Sequence, residues 1–199
     1  MGDSQLHALG AIDALRAFRA AELSPLELFD ALTERIHRVD GADCADEVAG
    51  AINAVVQTLG RAREVAARAE QRYLAGVEEP LGTGSTALLG LPVATKEKHG
   101  IAGEPLSQGL SALRDDRADS DHPLIERIGA AGGVVHARTA SPEYSCATVT
   151  HSPLWGVTRN PWNRRFSPGG SSGGAGAAPV IGSPAGSAGG RRTRRRRPG

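Results

Sequence analysis

Lysine occurs only twice among the 23 Lys and Arg residues of this 199-residue chain, at Lys96 and Lys98, both within LPVATKEKHG. Guanidinium keeps its proton under ordinary conditions, whereas a desolvated lysine can lose its proton and act as a base. Lys96 closes an apolar run, where partial burial would lower its pKa. By spacing alone, both lysines also suit ordinary surface charges at a strand end. Downstream, Ser167 to Gly174 reads SPGGSSGG. Paired serines can activate each other by hydrogen bonding, and the glycines around them let a substrate approach the backbone. The same composition also makes a flexible linker. The preceding GVTRNPWNRRF, with a tryptophan and three arginines, is not spacer composition.

Other reactive side chains have bland readings. His99, His136 and His151 lack metal-ligand spacing and read as structural or solvated. Cys146 has no histidine context that would mark a nucleophile, and Trp155 and Trp162 read as packing for their loop. No metal or cofactor is implied.

The elements that must position these groups follow from periodicity. Apolar residues at Leu6, Leu9, Ile12, Leu15 and Phe18 predict a helix over 5–20. In LSPLELFDALTERIHRVDG, Ser24 is a cap, Pro25 suits the first helical position and Glu27 completes a capping box. Leu28, Leu32, Ile36 and Val39 form the apolar stripe of that helix, and Gly41 ends it. AINAVVQTL predicts a strand, and GRAREVAARAEQRYLAG a helix with Val65, Ala69 and Tyr73 on one face. EEPLGTGST is a loop, and ALLGLPVAT a buried strand interrupted by Gly90 and Pro92. DHPLIERIGAAG is a helix with Asp121 as cap, and GVVHART the strand after it. Strand, helix and strand in that order predict a crossover unit in an α/β fold.

Charge is uneven. Formal net charge is +1, but RRTRRRRPG at the end holds six arginines. Without them 17 basic residues face 22 acidic ones, a body near −5 that would repel nucleic acid. Cys44 and Cys146 lie far apart without a CxxC pattern, which suits a reducing cytoplasm. No apolar run is long enough for a signal peptide or a membrane span, so a cytoplasmic location without membrane attachment is expected.

Three blocks, GLPVATKEKHGIAG, ASPEYSCATVTHSPLWGVTRNPWNRRF and SPGGSSGGAGAA, together with LSPLEL and NAVV upstream, resemble the amidase signature family over roughly residues 8 to 178. Members hydrolyse or transfer carboxamides with a Ser, cis-Ser, Lys triad. The resemblance implies that Lys96 is the triad lysine, acting as a neutral base. It makes Ser171 the bridging serine on a cis peptide, with Ser172 the alternative if the register shifts by one. Glu97 stands where the family usually has aspartate. The nucleophile is expected roughly two dozen residues beyond Ser171, in a run like GSDxGGSIRxP whose amides also form the oxyanion hole. This chain reads GSPAGSAGGRRTRRRRPG there, and Ser183 and Ser187 stand in no matching context.

The resemblance therefore implies an α/β fold of amidase-signature type, with a mixed central sheet flanked by helices, in truncated form. It would occupy residues 1–178, followed by a disordered Gly/Pro/Arg-rich tail over 179–199. The loss of pattern past Ala178 reads as a frame-shifted or misassembled end, with a natural tail as the other reading. The expected activity is hydrolysis of a carboxamide C–N bond in a small-molecule amide, by a fragment lacking its nucleophile. The competing readings are nucleic-acid or acidic-surface binding through the arginine tail, and a non-catalytic interaction protein. No aromatic residue interleaves with the tail arginines, which argues against nucleic acid. Oligomeric state and substrate identity stay open.

Overall fold

The computed structural model describes residues 3–40, 51–181 and 187–188, with the backbone alone at 3–5 and 187–188. The N-terminal helical pattern is split in two, a 3-10 turn at Asp3–Ala8 and helix α1 at Ala11–Arg19. Leu6, Leu15 and Phe18 are buried as expected, but Ile12 is 59 % exposed because the break before Gly10 rotates it off the inner face. Helix α2 (Pro25–Asp40) carries the expected capping box. The Ser24 N–H donates to Glu27 Oε2 at 2.7 Å and the Glu27 N–H donates to Ser24 Oγ at 3.1 Å. Leu28, Leu32 and Ile36 are buried on its inner face. Gly41, its expected terminator, lies outside the described residues.

Strand β1 (Val55–Thr58) and helix α3 (Ala62–Leu74) fall where periodicity places them. The inner face of α3 is built from Ala62, Ala66 and Ala69. Strand β2 is shorter than expected, Pro92–Lys96. The ALLG before it is a turn, because Gly90 adopts φ +76° and comes against the Pro25 ring, where a Cβ would lie 2.7 Å from Cγ. Helix α4 (Pro123–Ala130) leads to strand β3 (Val134–Thr139). Its cap is His122 rather than Asp121. His122 Nδ1 accepts from the Leu124 N–H, whereas Asp121 turns away to accept from the Ala102 N–H at 2.7 Å.

A two-stranded ribbon pairs β4 (His151–Ser152) with β5 (Gly156–Val157). Helix α5 (Gly173–Ile181) and the two-residue strand β6 (Ser187–Ala188) complete the described chain. The main sheet is mixed, with order β1-β3-β2-β6. Strand β1 runs antiparallel to β3, while β2 and β3 are parallel, Pro92 opposite Val134 and Lys96 opposite Thr139. The parallel pair is joined through α4, as the strand-helix-strand order predicts.

Three apolar clusters cover the sheet. Phe29, Leu59, Ala62, Ala66, Ile101, Ile125 and Val134 pack together from α2, α3, α4, β3 and the loops after β1 and β2. Ala94 and Ala137 meet Ala178 of α5, and Ile52 and Ala54 meet Ala177 and Ile181. The tail expected to be disordered from Pro179 is thus helical through Ile181, because Ile181 is buried in that contact. Its residues 187–188 pair with β2, Ala94 opposite Ser187 and Thr95 opposite Ala188. Residues 182–186 and 189–199, the arginine run included, lie outside the described residues. Among the described residues no helix is long and apolar enough to cross a membrane.

Candidate active site

Side chains alternate along a strand, so Lys96 shares a face with Ala94, the face that α5 covers. Helix α5 reads GGAGAAPVI, and its small residues let it lie unusually close to the sheet. A Cβ on Gly174 would stand 2.5 Å from the Ala140 nitrogen and 2.7 Å from the Ala54 oxygen. That close approach brings the residues just before the helix to the C-terminal end of β2. There the Lys96 Nζ donates to Ser171 Oγ at 2.9 Å and to Ser172 Oγ at 3.1 Å.

SPGGSSGG is consequently a packed loop. Gly170 presses on the Val149 backbone, where a Cβ would lie 2.8 Å from its atoms. Thr150 straps the loop, its hydroxyl donating to the Gly169 carbonyl at 3.0 Å and accepting from the Gly173 N–H at 2.8 Å. The Gly170–Ser171 peptide is cis. Both serines are half-buried.

Lys96 is only 3 % exposed. Burial, reinforced by the neighbouring Lys98 charge and opposed by Glu97, lowers its ammonium from 10.5 to about 8. A substantial neutral fraction therefore exists just above neutral pH. Lys98 itself is exposed.

Beneath the lysine lies a polar layer that residue types alone did not mark. Glu97 is buried, its Oε1 accepting from Ser107 Oγ at 2.7 Å and from the Gln108 N–H at 2.8 Å. Arg138 is fully buried and donates to the carbonyls of Glu97, His99 and Pro105. Its guanidinium thus ties the chain leaving β2 to β3. Burial lowers the Arg138 pKa, with Glu97 and Glu104 opposing. At the other edge, the buried Asp40 carboxylate accepts from the Ala54 and Val55 N–H groups, at 2.7 to 3.0 Å, and anchors the start of β1.

The remaining candidates separate as follows. His136 is buried against Phe29, and burial lowers its pKa to about 4. His99 packs edge-on to His122, and His151 is exposed. Cys146 is an exposed free thiol, and Cys44 lies outside the described residues. Trp155 is half-buried, but Trp162 is 83 % exposed rather than packed into its loop. The Asn160 turn holds it outward, Asn160 Oδ1 accepting from its N–H at 2.9 Å. Of the serines beyond the loop, Ser183 lies outside the described residues, and Ser187 is placed only by its backbone, beside β2.

Comparison with known proteins places the chain in one family. The family model described as Amidase matches residues 42–189. An indoleacetamide hydrolase of Bradyrhizobium diazoefficiens is 35 % identical over 172 residues, covering 86 % of this chain and 30 % of that protein. A putative amidase, AmiB2, of Mycobacterium tuberculosis is 37 % identical over 182 residues, covering 92 % of this chain and 36 % of its own. The solved structure of a 6-aminohexanoate cyclic dimer hydrolase superposes with a TM-score of 0.71 at 29 % identity, over 89 % of this chain and 33 % of the other. The chain thus spans about a third of the length of the relatives it matches.

Proposed function

The chain belongs to the amidase signature family, and on that premise we propose that Lys96 and Ser171 are the base and the proton relay of a site that cleaves the C–N bond of a small carboxamide. The observation that carries this reading is the 2.9 Å hydrogen bond from the buried Lys96 Nζ to Ser171 Oγ. A base and its hydroxyl partner must stand within about 2.6 to 3.2 Å, and the base needs a pKa near the working pH. The lowered Lys96 supports the second condition. In this scheme neutral Lys96 takes the Ser171 hydroxyl proton as Ser171 takes one from the attacking serine. The same path returns a proton to the departing amine.

The attacking serine and its oxyanion donors have no counterpart in GSPAGSAGGRRTRRRRPG. Losing one oxyanion donor alone raises a barrier by about 2.7 to 4 kcal/mol. This 199-residue chain is accordingly proposed to turn over no amide. Two measurements test the reading. The pH dependence of amine-selective labelling at Lys96, followed by peptide mapping, should have a midpoint near 8, and a midpoint near 10.5 would refute the base assignment. Assay with an aryl amide should give no turnover, and turnover abolished by Lys96→Ala would overturn the claim of inactivity.

A further inference from the structure

Lys96 serves two hydroxyls, and the amide-cleaving scheme uses only one. Ser172 Oγ lies 3.1 Å from Nζ, within the reach of a base and a nucleophile. Its backbone distinguishes it from Ser171. The Ser172 carbonyl accepts from the Gly176 N–H at 2.9 Å, so Ser172 is the N-cap of α5. Negative charge developing on its hydroxyl oxygen therefore meets the positive end of a nine-residue helix. Ser172 is half-buried, whereas the lysine behind it is 3 % exposed and shielded from bulk water.

We propose that Lys96 and Ser172 form a serine–lysine dyad that accepts acyl or phosphonyl groups from activated donors such as aryl esters and phosphonyl fluorides. With a phosphonyl fluoride, a bond forms from Ser172 Oγ to phosphorus, the P–F bond breaks and fluoride departs. The hydroxyl proton passes to neutral Lys96, which becomes ammonium. With a nitrophenyl ester, the bond forms to the acyl carbon and nitrophenolate departs without needing a proton. Such leaving groups relax the demand for an oxyanion hole and a proton donor, both of which amide cleavage requires. The proposal rests on Lys96 being a base, as above, and needs neither amide turnover nor a downstream serine.

The test uses the full chain and a fluorophosphonate probe, with adducts located by peptide mapping over pH 6 to 10. The expected result is one stable adduct on Ser172, formed at a rate that rises with pH to a plateau with a midpoint near 8. Lys96→Met should slow labelling about a hundredfold, the lower range of a general base. Ser172→Ala should abolish the adduct, while wild-type mapping makes the assignment without relying on any variant. An adduct on Ser171 alone, or labelling unaffected by Lys96→Met, overturns the dyad. No adduct, with Lys96 still titrating near 8, overturns the dyad and leaves the base assignment standing. No adduct, with Lys96 titrating near 10.5, refutes both.

Discussion

Replacing Lys96 by methionine removes the titrating group while keeping an unbranched side chain of similar length. The consequence for stability can be worked with its sign. Lys96 has a folded pKa of about 8 against 10.5 for a solvated lysine. Its folded value is depressed, so between those pH values the unfolded chain binds the extra proton and stability rises with pH. Below pH 8 the native protein carries the whole penalty of a charged, desolvated ammonium. At ~1.4 kcal/mol per pH unit, the gap is worth ~3 kcal/mol. Against this, methionine forfeits the bonds to Ser171 and Ser172, each worth about 1 kcal/mol net. At pH 7 the variant should therefore be about 1 kcal/mol more stable than the parent. Above pH 10.5 it should be about 2 kcal/mol less stable, with the two curves crossing near pH 9.

Urea unfolding of both proteins at half-unit steps from pH 7 to 10.5 measures the difference directly. Other titrating groups are common to both chains and cancel in it. A difference that stays constant across this range would mean that Lys96 titrates as an ordinary lysine. The neutral-base assignment would then be wrong.

Four further substitutions probe what holds the site together. Gly174→Ala drives a Cβ into the Ala140 and Ala54 backbone and should cost roughly 3 kcal/mol in urea unfolding. Gly176→Ala, on the open side of the same helix, should stabilise by ~0.5 to 1 kcal/mol. Thr150→Val unties the strap between Gly169 and Gly173, which should cost about 2 kcal/mol and move the Lys96 labelling midpoint upward as the loop loosens. Asp40→Asn replaces with an amide donor one of the two carboxylate oxygens that the Ala54 N–H bonds. It should cost roughly 2 to 3 kcal/mol, read as a lower urea midpoint.

What could be read from the residues divides along a physical line. Helix α2 announces itself through Ser24, Pro25, Glu27 and a strict apolar stripe, all local signals, and the structure carries each of them. Strands β1 and β3 and helix α4 are legible for the same reason. Helix α5 is not. Glycine is among the poorest helix formers, and Pro179 lies inside the helix, so local preference opposes it. Packing decides otherwise, because only residues without bulk can approach Ala140 and Ala54 so closely. The same glycines that read as linker in SPGGSSGG are there to be pressed against backbone. Asp121 failed as the cap of α4 because a nearby loop amide, Ala102, claimed its carboxylate. Arg138 carried no sequence signal at all, since its partners are three carbonyls gathered only by the turn after β2.

Topology explains why Lys96 and the serine loop meet although they lie far apart in the chain. Strands β2 and β3 are parallel, so their C-terminal ends, Lys96 and Thr139, finish at the same edge of the sheet. Loops leaving that edge carry the chain toward a shared crevice, the general place for sites on open α/β sheets. One such loop holds Glu97 and is fixed by Arg138, which sets where the lysine's own strand ends. The segment after Thr139 runs through Ala140, the residue against which Gly174 packs. Lys96 and α5 are thus positioned from the same strand end, one by ladder pairing and the other by close contact. On this frame the amine stands 2.9 and 3.1 Å from the two hydroxyls. The proposed base and relay therefore rest on the β2–α4–β3 crossover and the glycine-led helix that closes on it.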